Sequence, residues 1–486
     1  MNSLHWCQTE FSNVNFGDKR LDSRFIALAQ ALANQPLDPI NQACGESRAQ
    51  QKAAYRFFAN PKTTNTHILQ THQSQTVERA LDQPSWILAI QDTSFLNYSS
   101  HLKTEGLGKI ATYLEGRNKA KGLVLHTTLA LDAREGIPLG ILDQQIWARP
   151  LKPVNGPRPR CWQIPIEKKE SHKWIRGLES SVRALFPKVA QEGLNSKATR
   201  EPRLVSIADR EADIFEFMEK ARELDTHFVI RSQNSRDRVL VPEQGPVFFR
   251  NGGAVLKLRD FLPKQPIQGV MEVEVPRRAG GHVQSELPAR TACLDIRFSS
   301  VKFSLPRRTS IRIRRSKEDR KKKYIRNLSR TKSMQIQVIW VHERNPPPGT
   351  AGLDWILVTD LPVGSVQQAQ EKIRWYSYRW RIESFHKVLK SGLRVEECRL
   401  ETTDRLKKYI ALCSVIAWKI LWASISSKNN PDQSCQPMLS ETEWKALYCR
   451  IHRTRTPPKK PPPLKDVVYW LARLGGYTAT NSSKKR

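Results

Sequence analysis

The chain has 486 residues and carries 80 Lys and Arg against 47 Asp and Glu, a formal charge of +33. That length allows a large core and predicts two to four domains, and the positive excess suits a polyanion, nucleic acid first and anionic membrane second. No uninterrupted apolar run approaches the ~18 residues of a spanning helix, no basic-then-apolar leader opens the N-terminus, and the eight cysteines contain no C-x2-C pair, a usage that fits reduced thiols in a cytoplasm better than secretion or a zinc site.

Residues 1–75 are expected to be helical and polar. Leu21, Phe25, Leu28 and Leu32 recur at helical spacing from Asp18 to Asn34, with Lys19, Arg20 and Arg24 on other faces, and Pro36 stops the run. A second helix is expected from Glu46 to Asn60, ahead of Pro61. Its Arg48, Lys52 and Arg56 lie four apart as a basic ridge beside Ala49, Ala53, Tyr55 and Phe58. Such a module can dock on DNA, and equally such a ridge can be an ordinary solvated face.

From Trp86 the pattern becomes strand-like. Trp86–Gln91 is a short apolar run followed at once by Asp92. Leu123–Leu131 and a segment within Ile137–Trp147 are the next strands, and Lys173–Phe186 is a helix. Leu204–Ala208 is a fourth strand, again ending at a carboxylate, Asp209. A helix and a fifth strand, Thr226–Arg231, follow. Three strands, a helix, a strand, a helix and a strand predict an α/β fold with a mixed sheet in the ribonuclease-H-like order, in which the first and fourth strands are central neighbours. Asp92 and Asp209 would then lie side by side.

The segment 232–350 is too long for a structureless loop and is expected to be a β-rich insertion subdomain, with Val270–Val275 and Met334–Val341 as strands. Within it Arg307–Lys332 holds 13 Lys and Arg against Glu318 and Asp319. A phosphate-backbone contact is favoured over solvated charge for that stretch. Trp355–Thr359 returns as a strand. Gln367–Lys390 is expected to be one helix, because Gly and Pro are absent from Lys372 to Ser391. Residues 402–427 form an amphipathic helix whose apolar part, Leu412–Ala423, contains Lys419 and therefore belongs to a core. Arg450–Lys465 is a basic, Pro-rich linker, and Val467–Leu474 is a short helix stopped by Gly475-Gly476. The expected domains are 1–75 (helical, DNA-end-binding), 76–400 (catalytic, with the insertion at 232–350) and 401–486 (helical, a candidate dimerisation region).

Tyr376, Arg379, Glu383 and Lys390 are at offsets of 0, 3, 7 and 14 on the helix 367–390. At about 100° per residue they share one stripe. The stripe sets one carboxylate among two cations and a phenol, which suits a metal beside phosphate oxygens; an ion-paired solvated face has the same spacing. With Asp92 and Asp209 the chain offers three carboxylates. Clustered carboxylates repel unless cations join them, and two divalent ions about 3.5–4 Å apart make a phosphoryl-transfer site. Carboxylate donors suit magnesium or manganese.

The motifs Ile-Gln-Asp92-Thr-Ser, Ala-Asp209-Arg-Glu-Ala-Asp-Ile and Tyr376-x2-Arg379-x3-Glu383-x6-Lys390 together resemble DDE transposases of the insertion-sequence-four group, and within it the transposon-five branch. Weaker similarity runs through Phe16–Arg20, Ala54–Pro61, Trp355–Thr359 and Ala472–Gly476. The resemblance implies that Asp92, Asp209 and Glu383 are catalytic ligands for a pair of Mg2+ ions, with Mn2+ as substitute. It implies that Tyr376, Arg379, Lys390 and Arg231 hold phosphates of the element's end, and that Trp355 stacks on a flipped base. The N-terminal module, with Arg20, Arg24, Arg48, Lys52 and Arg56, would recognise terminal inverted repeats. The implied reaction is cut-and-paste: water nicks one strand, the 3′-OH closes a hairpin, a second water opens it, and the 3′-OH attacks target DNA. Double-stranded DNA is the implied partner, a homodimer the implied assembly, and a prokaryotic cytoplasm the implied location. Ten residues follow Gly476, whereas the transposon-five branch continues into a longer helical segment that pairs subunits. A DNA-end-binding protein without catalysis and a metal-dependent nuclease of the same fold remain the alternatives.

Overall fold

The computed structural model describes residues 4–110, 120–150, 164–187, 203–233, 257–275, 288–304, 333–350 and 352–474. The basic stretch Arg307–Lys332 and the Gly475-Gly476 stop lie outside the described residues. In chain order the elements used below are α1 (Leu4–Glu10), α2 (Lys19–Asn34), α3 (Ile40–Ala43), α4 (Arg48–Ala59), α5 (Asn65–Leu81), β1 (Ile87–Asn97), β2 (Gly108–Lys109), β3 (Lys121–Asp132), β4 (Pro138–Trp147), α6 (His172–Leu185), β5 (Leu204–Ala208), α7 (Phe215–Glu223), β6 (His227–Arg231), α8 (Leu258–Phe261), β7 (Gly269–Val275), β8 (Arg290–Ser304), β9 (Ser333–Glu343), β10 (Asp354–Thr359), α9 (Val366–Ser377), α10 (Trp380–Lys387), α11 (Thr403–Asn429), α12 (Glu441–His452) and α13 (Leu464–Leu474).

The chain divides into two compact units. One comprises 1–84, 93–152 and 383–486; the other comprises 85–92 and 153–382. These cuts differ from boundaries drawn along the sequence. The chain passes between units inside β1, after Asp92, and inside α10, before Glu383.

In the unit of 85–92 and 153–382 the strand order is β1–β5–β6–β10–β9–β8–β7. β5 is parallel to β1 and β6, and the remaining pairs are antiparallel. β5 is buried along its whole length, as expected of a central parallel strand covered on both faces. The central adjacency of β1 and β5 is the one expected from element order. The described strands of the 232–350 segment include the two expected, β7 over Val270–Val275 and β9 over Met334–Val341, and with β8 they extend the same sheet outward from β10. Mixed strands with helices give an α/β fold consistent with the ribonuclease-H-like class.

In the other unit β3 pairs with β4 and β2 and lies beside β1. Gly122 sits where an added Cβ would fall 1.9 Å from Leu96 O, so only glycine permits this approach. The core of this unit is α11. Its most apolar window has a mean hydropathy of 1.6, long and apolar enough to cross a membrane, but 72 % of that window is buried inside the protein. It is a core helix, as expected from Lys419 within its apolar part. Lys408 on α11 is 2 % exposed. Its ammonium donates to Phe58 O at 3.1 Å and Asn60 O at 3.0 Å, satisfying carbonyls at the C-terminal end of α4.

The N-terminal helices close around aromatic side chains: Phe25 meets Phe11 at 4.7 Å, Phe16 at 5.5 Å and Phe57 at 5.7 Å between ring centroids. Glu10 ties α1 to α5. It accepts from Arg79 at 2.9 and 3.0 Å and from His72 Nδ1. His72 Nε2 accepts from Ile141 N at 2.9 Å, which places the ring proton on Nδ1. Burial alone would raise the Glu10 carboxyl, yet His72 and Arg79 hold it down to about 2. The seven described cysteines are free thiols.

Candidate active site

Ile87-Leu-Ala-Ile90 and Leu204-Val-Ser-Ile207 are short, apolar and rich in β-branched residues, and they pair in parallel register, Ile87 with Leu204 through Ile90 with Ile207. Two residues further along both strands stand Asp92 and Asp209. Asp209 keeps extended backbone angles (φ −82°, ψ −168°) past the last strand residue, so the register carries through to the two carboxylates. Extending that register by two residues sets Asp92 beside Asp209 on adjacent strands, spaced by about 4.8 Å; Asp209 follows the end of β5, whereas β1 runs on past Asp92 to Asn97 instead of ending before it as expected.

Asp209 is half-buried and caps the tight turn 210–212, accepting from Glu211 N at 2.9 Å through Oδ1. Burial raises its carboxyl above the ordinary range and the charge of Glu211 adds to this; the Glu211 N–H and the charges of Arg379 and Lys173 oppose it. Lys173 on α6 is 7 % exposed and reaches Glu211 at 3.0 Å. Asp213 is fully buried and accepts from Gln233 N at 2.8 Å, which fastens the turn to the chain leaving β6. Asp213 is therefore structural.

A cluster of guanidinium groups flanks Asp209. Arg231 closes β6 and donates to Asp354 O at 2.7 Å. Burial lowers its pKa, the Tyr376 side chain raises it, and the neighbouring charges of Arg210 and Arg379 lower it further. Arg210 Nε is buried without a hydrogen-bond partner. Tyr376 is 3 % exposed, and its hydroxyl is raised by burial against the influence of Arg379 and Arg231. Like charges gathered beside a carboxylate, with a donor left unsatisfied, suit an external polyanion: phosphate oxygens supply the missing acceptors. Arg210 and Lys173 are not among the residues expected from sequence. The position of Arg210 directly after Asp209 is the only local signal, and Lys173 has none, since its approach depends on how α6 packs.

The expected single helix 367–390 is broken. α9 ends at Ser377, whose hydroxyl donates to Arg374 O at 2.7 Å. Tyr378 N is shared between Arg374 O and Trp375 O, and Arg379 N donates to Tyr376 O at 3.0 Å, so the turn tightens to an i→i+3 pattern before α10 begins. Val388–Gly392 is a π-helical turn. Spacing of 100° per residue therefore does not hold across Arg379. Tyr376 and Arg379 stay in the unit that holds Asp92 and Asp209, and Glu383 and Lys390 belong to the other. Glu383 is exposed on the first turn of α10. Lys390 donates to Phe95 O at 2.9 Å and lies 3.6 Å from Glu396.

Among the described residues no three His, Cys, Asp or Glu side chains are grouped closely enough to hold a metal ion. The Asp92–Asp209 pair is a suitable donor set for a hard divalent cation, because charge on Asp209 is disfavoured by burial and a cation would relieve it. Trp355 is 4 % exposed and packs edge-on against Tyr376 at 5.0 Å and Trp380 at 5.6 Å. It walls the Tyr376 side of the cluster, and base stacking on it requires that packing to open.

In the other unit, Arg20 and Arg24 on α2 and Arg48, Lys52 and Arg56 on α4 are all exposed. Among the described residues none of the five forms a salt bridge. α4 buries Ala54, Phe57 and Phe58. Tyr55, expected on the apolar face, is 43 % exposed and stands within the basic ridge instead.

Two family models match this chain. One, described as transposase DNA-binding, covers residues 3–63, and the other, described as a transposase DDE domain, covers 196–419. The first spans the aromatic helical cluster and its basic ridge. The second spans Asp209, the guanidinium cluster and Glu383, and begins beyond Asp92, whose place rests on the strand register. Together they make the chain a DDE transposase, an enzyme that carries out metal-dependent phosphoryl transfer on DNA.

Proposed function

We propose that this enzyme is a cut-and-paste transposase of the insertion-sequence-four group, transposon-five branch, which recognises terminal inverted repeats, cleaves through a hairpin intermediate and joins the 3′-OH ends to target DNA. The observation that carries the reading is the register pair Asp92–Asp209 flanked by Arg210, Arg231 and Arg379. Asp92, Asp209 and Glu383 would hold the metal, Mg2+ or Mn2+ and two ions per site. When bound, the ions supply a lowered pKa for the attacking hydroxyl and charge neutralisation at the leaving oxygen.

The chain's own groups do the rest. Arg231 and Arg379 hold phosphate oxygens flanking the scissile bond, and Arg210 adds a donor there. Tyr376 orients Arg379. Lys390 is the further phosphate contact, and Trp355 takes a flipped base once its packing with Tyr376 and Trp380 opens; unstacking a base relieves the tight bend of a hairpin. All the transfers are in-line displacements at phosphorus, so one constellation serves each in turn. Arg20, Arg24, Arg48, Lys52 and Arg56 dock the terminal repeat. Two ends must be held together, which calls for a homodimer on DNA, in a prokaryotic cytoplasm with access to the nucleoid.

The test is incubation with linear DNA bearing the element's own ends and Mg2+. Hairpin-ended products are the expected result. Plain nicks would assign a nuclease, and a mobility shift without cleavage would assign a binding protein.

A further inference from the structure

Beyond both matched ranges, α12 and α13 build a small core of Cys435, Trp444, Leu447, Leu464, Val467 and Trp470. The chain between them, 453–463, falls in the segment expected to be a linker. It is instead fastened at both ends. Thr454 N donates to Cys449 O at 3.2 Å, Cys435 N to Pro462 O at 3.1 Å, and Leu464 N to Gln433 O at 2.7 Å. Pro462 and Leu464 are buried, and the prolines restrict the backbone further.

This frame presents five cations, Arg450, Arg453, Arg455, Lys459 and Lys460, all exposed. Among the described residues none of them forms a salt bridge or a side-chain hydrogen bond. Carboxylates nearby are engaged elsewhere: Glu441 with Lys445 at 2.5 Å, Asp432 with Lys465 at 2.6 Å, and Glu443 with Ser440 at the start of its own helix. Arg453 also sits at the C-cap of α12 with φ +52°, in the left-handed region. Glycine is the usual residue there, and an arginine in that conformation carries steric strain that its exposed side chain does nothing to relieve within the fold.

Solvated charge accounts for one or two lysines on a free strap. It does not account for four uncompensated cations on a pinned, proline-stiffened one, with a strained arginine at its start and a fifth cation, Arg450, on the last turn of α12 beside it. We infer that residues 450–460 form a second DNA-binding surface, separate from the N-terminal ridge, which grips the phosphate backbone of duplex DNA without reading its sequence. The choice of DNA over other polyanions rests on the chain's being a DNA transposase; the cation surface does not.

The experiment measures the affinity of the full chain for a short random-sequence duplex by fluorescence anisotropy across a salt series. In a variant with R450Q, R453Q, R455Q, K459Q and K460Q, the slope of log K against log salt should become shallower by about 0.9 for each phosphate no longer neutralised. Affinity at low salt should fall at least tenfold. The R453G variant removes backbone strain while removing one cation. It should unfold at the same or a higher temperature and still become shallower by about 0.9 in slope. A variant with R450K, R453K and R455K, which keeps the charge, should keep the slope.

Unchanged slope and affinity in the five-fold and R453G variants would overturn the proposal. So would loss of binding to phosphatidylserine vesicles with duplex binding intact, which would assign the surface to a membrane. If the wild-type chain bound no duplex at all, the transposase reading itself would fail, a result distinct from wild-type binding that the variants share.

Discussion

Asp209 caps the turn after β5 through Oδ1, yet burial still raises its carboxyl above the ordinary range despite the charges of Arg379 and Lys173. A raised carboxyl means that the folded state binds more protons than the unfolded one between the two pKa values. Stability therefore falls as pH rises from the unfolded value through the folded one. Asn also caps such turns, so Asp209→Asn should remove the unfavourable charge and keep the cap. The expected outcome is a melting temperature a few degrees higher at neutral pH, a gain that fades as pH drops below the ordinary carboxylate range, together with loss of DNA cleavage. A lower melting temperature at neutral pH would show that the carboxylate stabilises the fold. Glu383 makes the complementary case. It is exposed on α10, so Glu383→Ala should leave the fold and DNA-end binding intact while cleavage falls on the order of 10³-fold; equal loss of binding and cleavage would contradict a role confined to chemistry.

At the scale of elements, local pattern predicts well where one face is apolar and poorly where backbone geometry turns on a side-chain hydroxyl. The helix 367–390 contains no breaker, yet Ser377 and the shared Tyr378 N–H split it. That break removes the geometric basis of the Tyr376–Lys390 stripe. It also leaves Arg379 beside Asp209, where the charge of Arg379 is felt. Helix α4 shows the opposite case. Spacing of four identifies Arg48, Lys52 and Arg56 as one ridge, and the folded helix keeps all three exposed. Ala49 and Tyr55, expected on the apolar side, are exposed, because Ala54, Phe57 and Phe58 supply the buried stripe. Replacing the three cations by alanine should weaken DNA binding and make its salt dependence shallower by about 0.9 for each phosphate released, with no change in melting temperature beyond about 1 °C. Titration of the triple variant at several salt concentrations checks this, and an unchanged slope would remove α4 from the interface.

For the whole molecule, the charge of +33 predicts backbone-dominated binding. If six or more phosphates are contacted, affinity for DNA should drop by about 10³-fold or more between 50 and 200 mM salt. A flat response would be incompatible with counterion release as the main driving force. Composition also anticipates a chain able to bury a large core, but the core is not laid out by sequence order. Residues 1–84, 93–152 and 383–486 fold into one unit around α11, with Lys408 reaching the carbonyls at the end of α4. Nothing local in the sequence announces that unit, since the interactions that assemble it join residues hundreds of positions apart.

By itself the sequence determined where β1 and β5 begin, the carboxylate that follows β5, the adjacency of the two strands in an α/β order, and the cationic ridge of α4, but not that β1 runs on past Asp92 to Asn97. Each of these follows from short-range alternation of apolar and polar residues, which sets secondary structure and the face it buries. Only the tertiary structure decided that Arg210, Arg231 and Arg379 gather beside Asp209, that Trp355 is enclosed by Tyr376 and Trp380, and that the proline-rich strap 453–463 is pinned. Those arrangements depend on long-range packing. An arginine or tryptophan is compatible with surface, core or site, and nothing within its own neighbourhood in the chain selects among them.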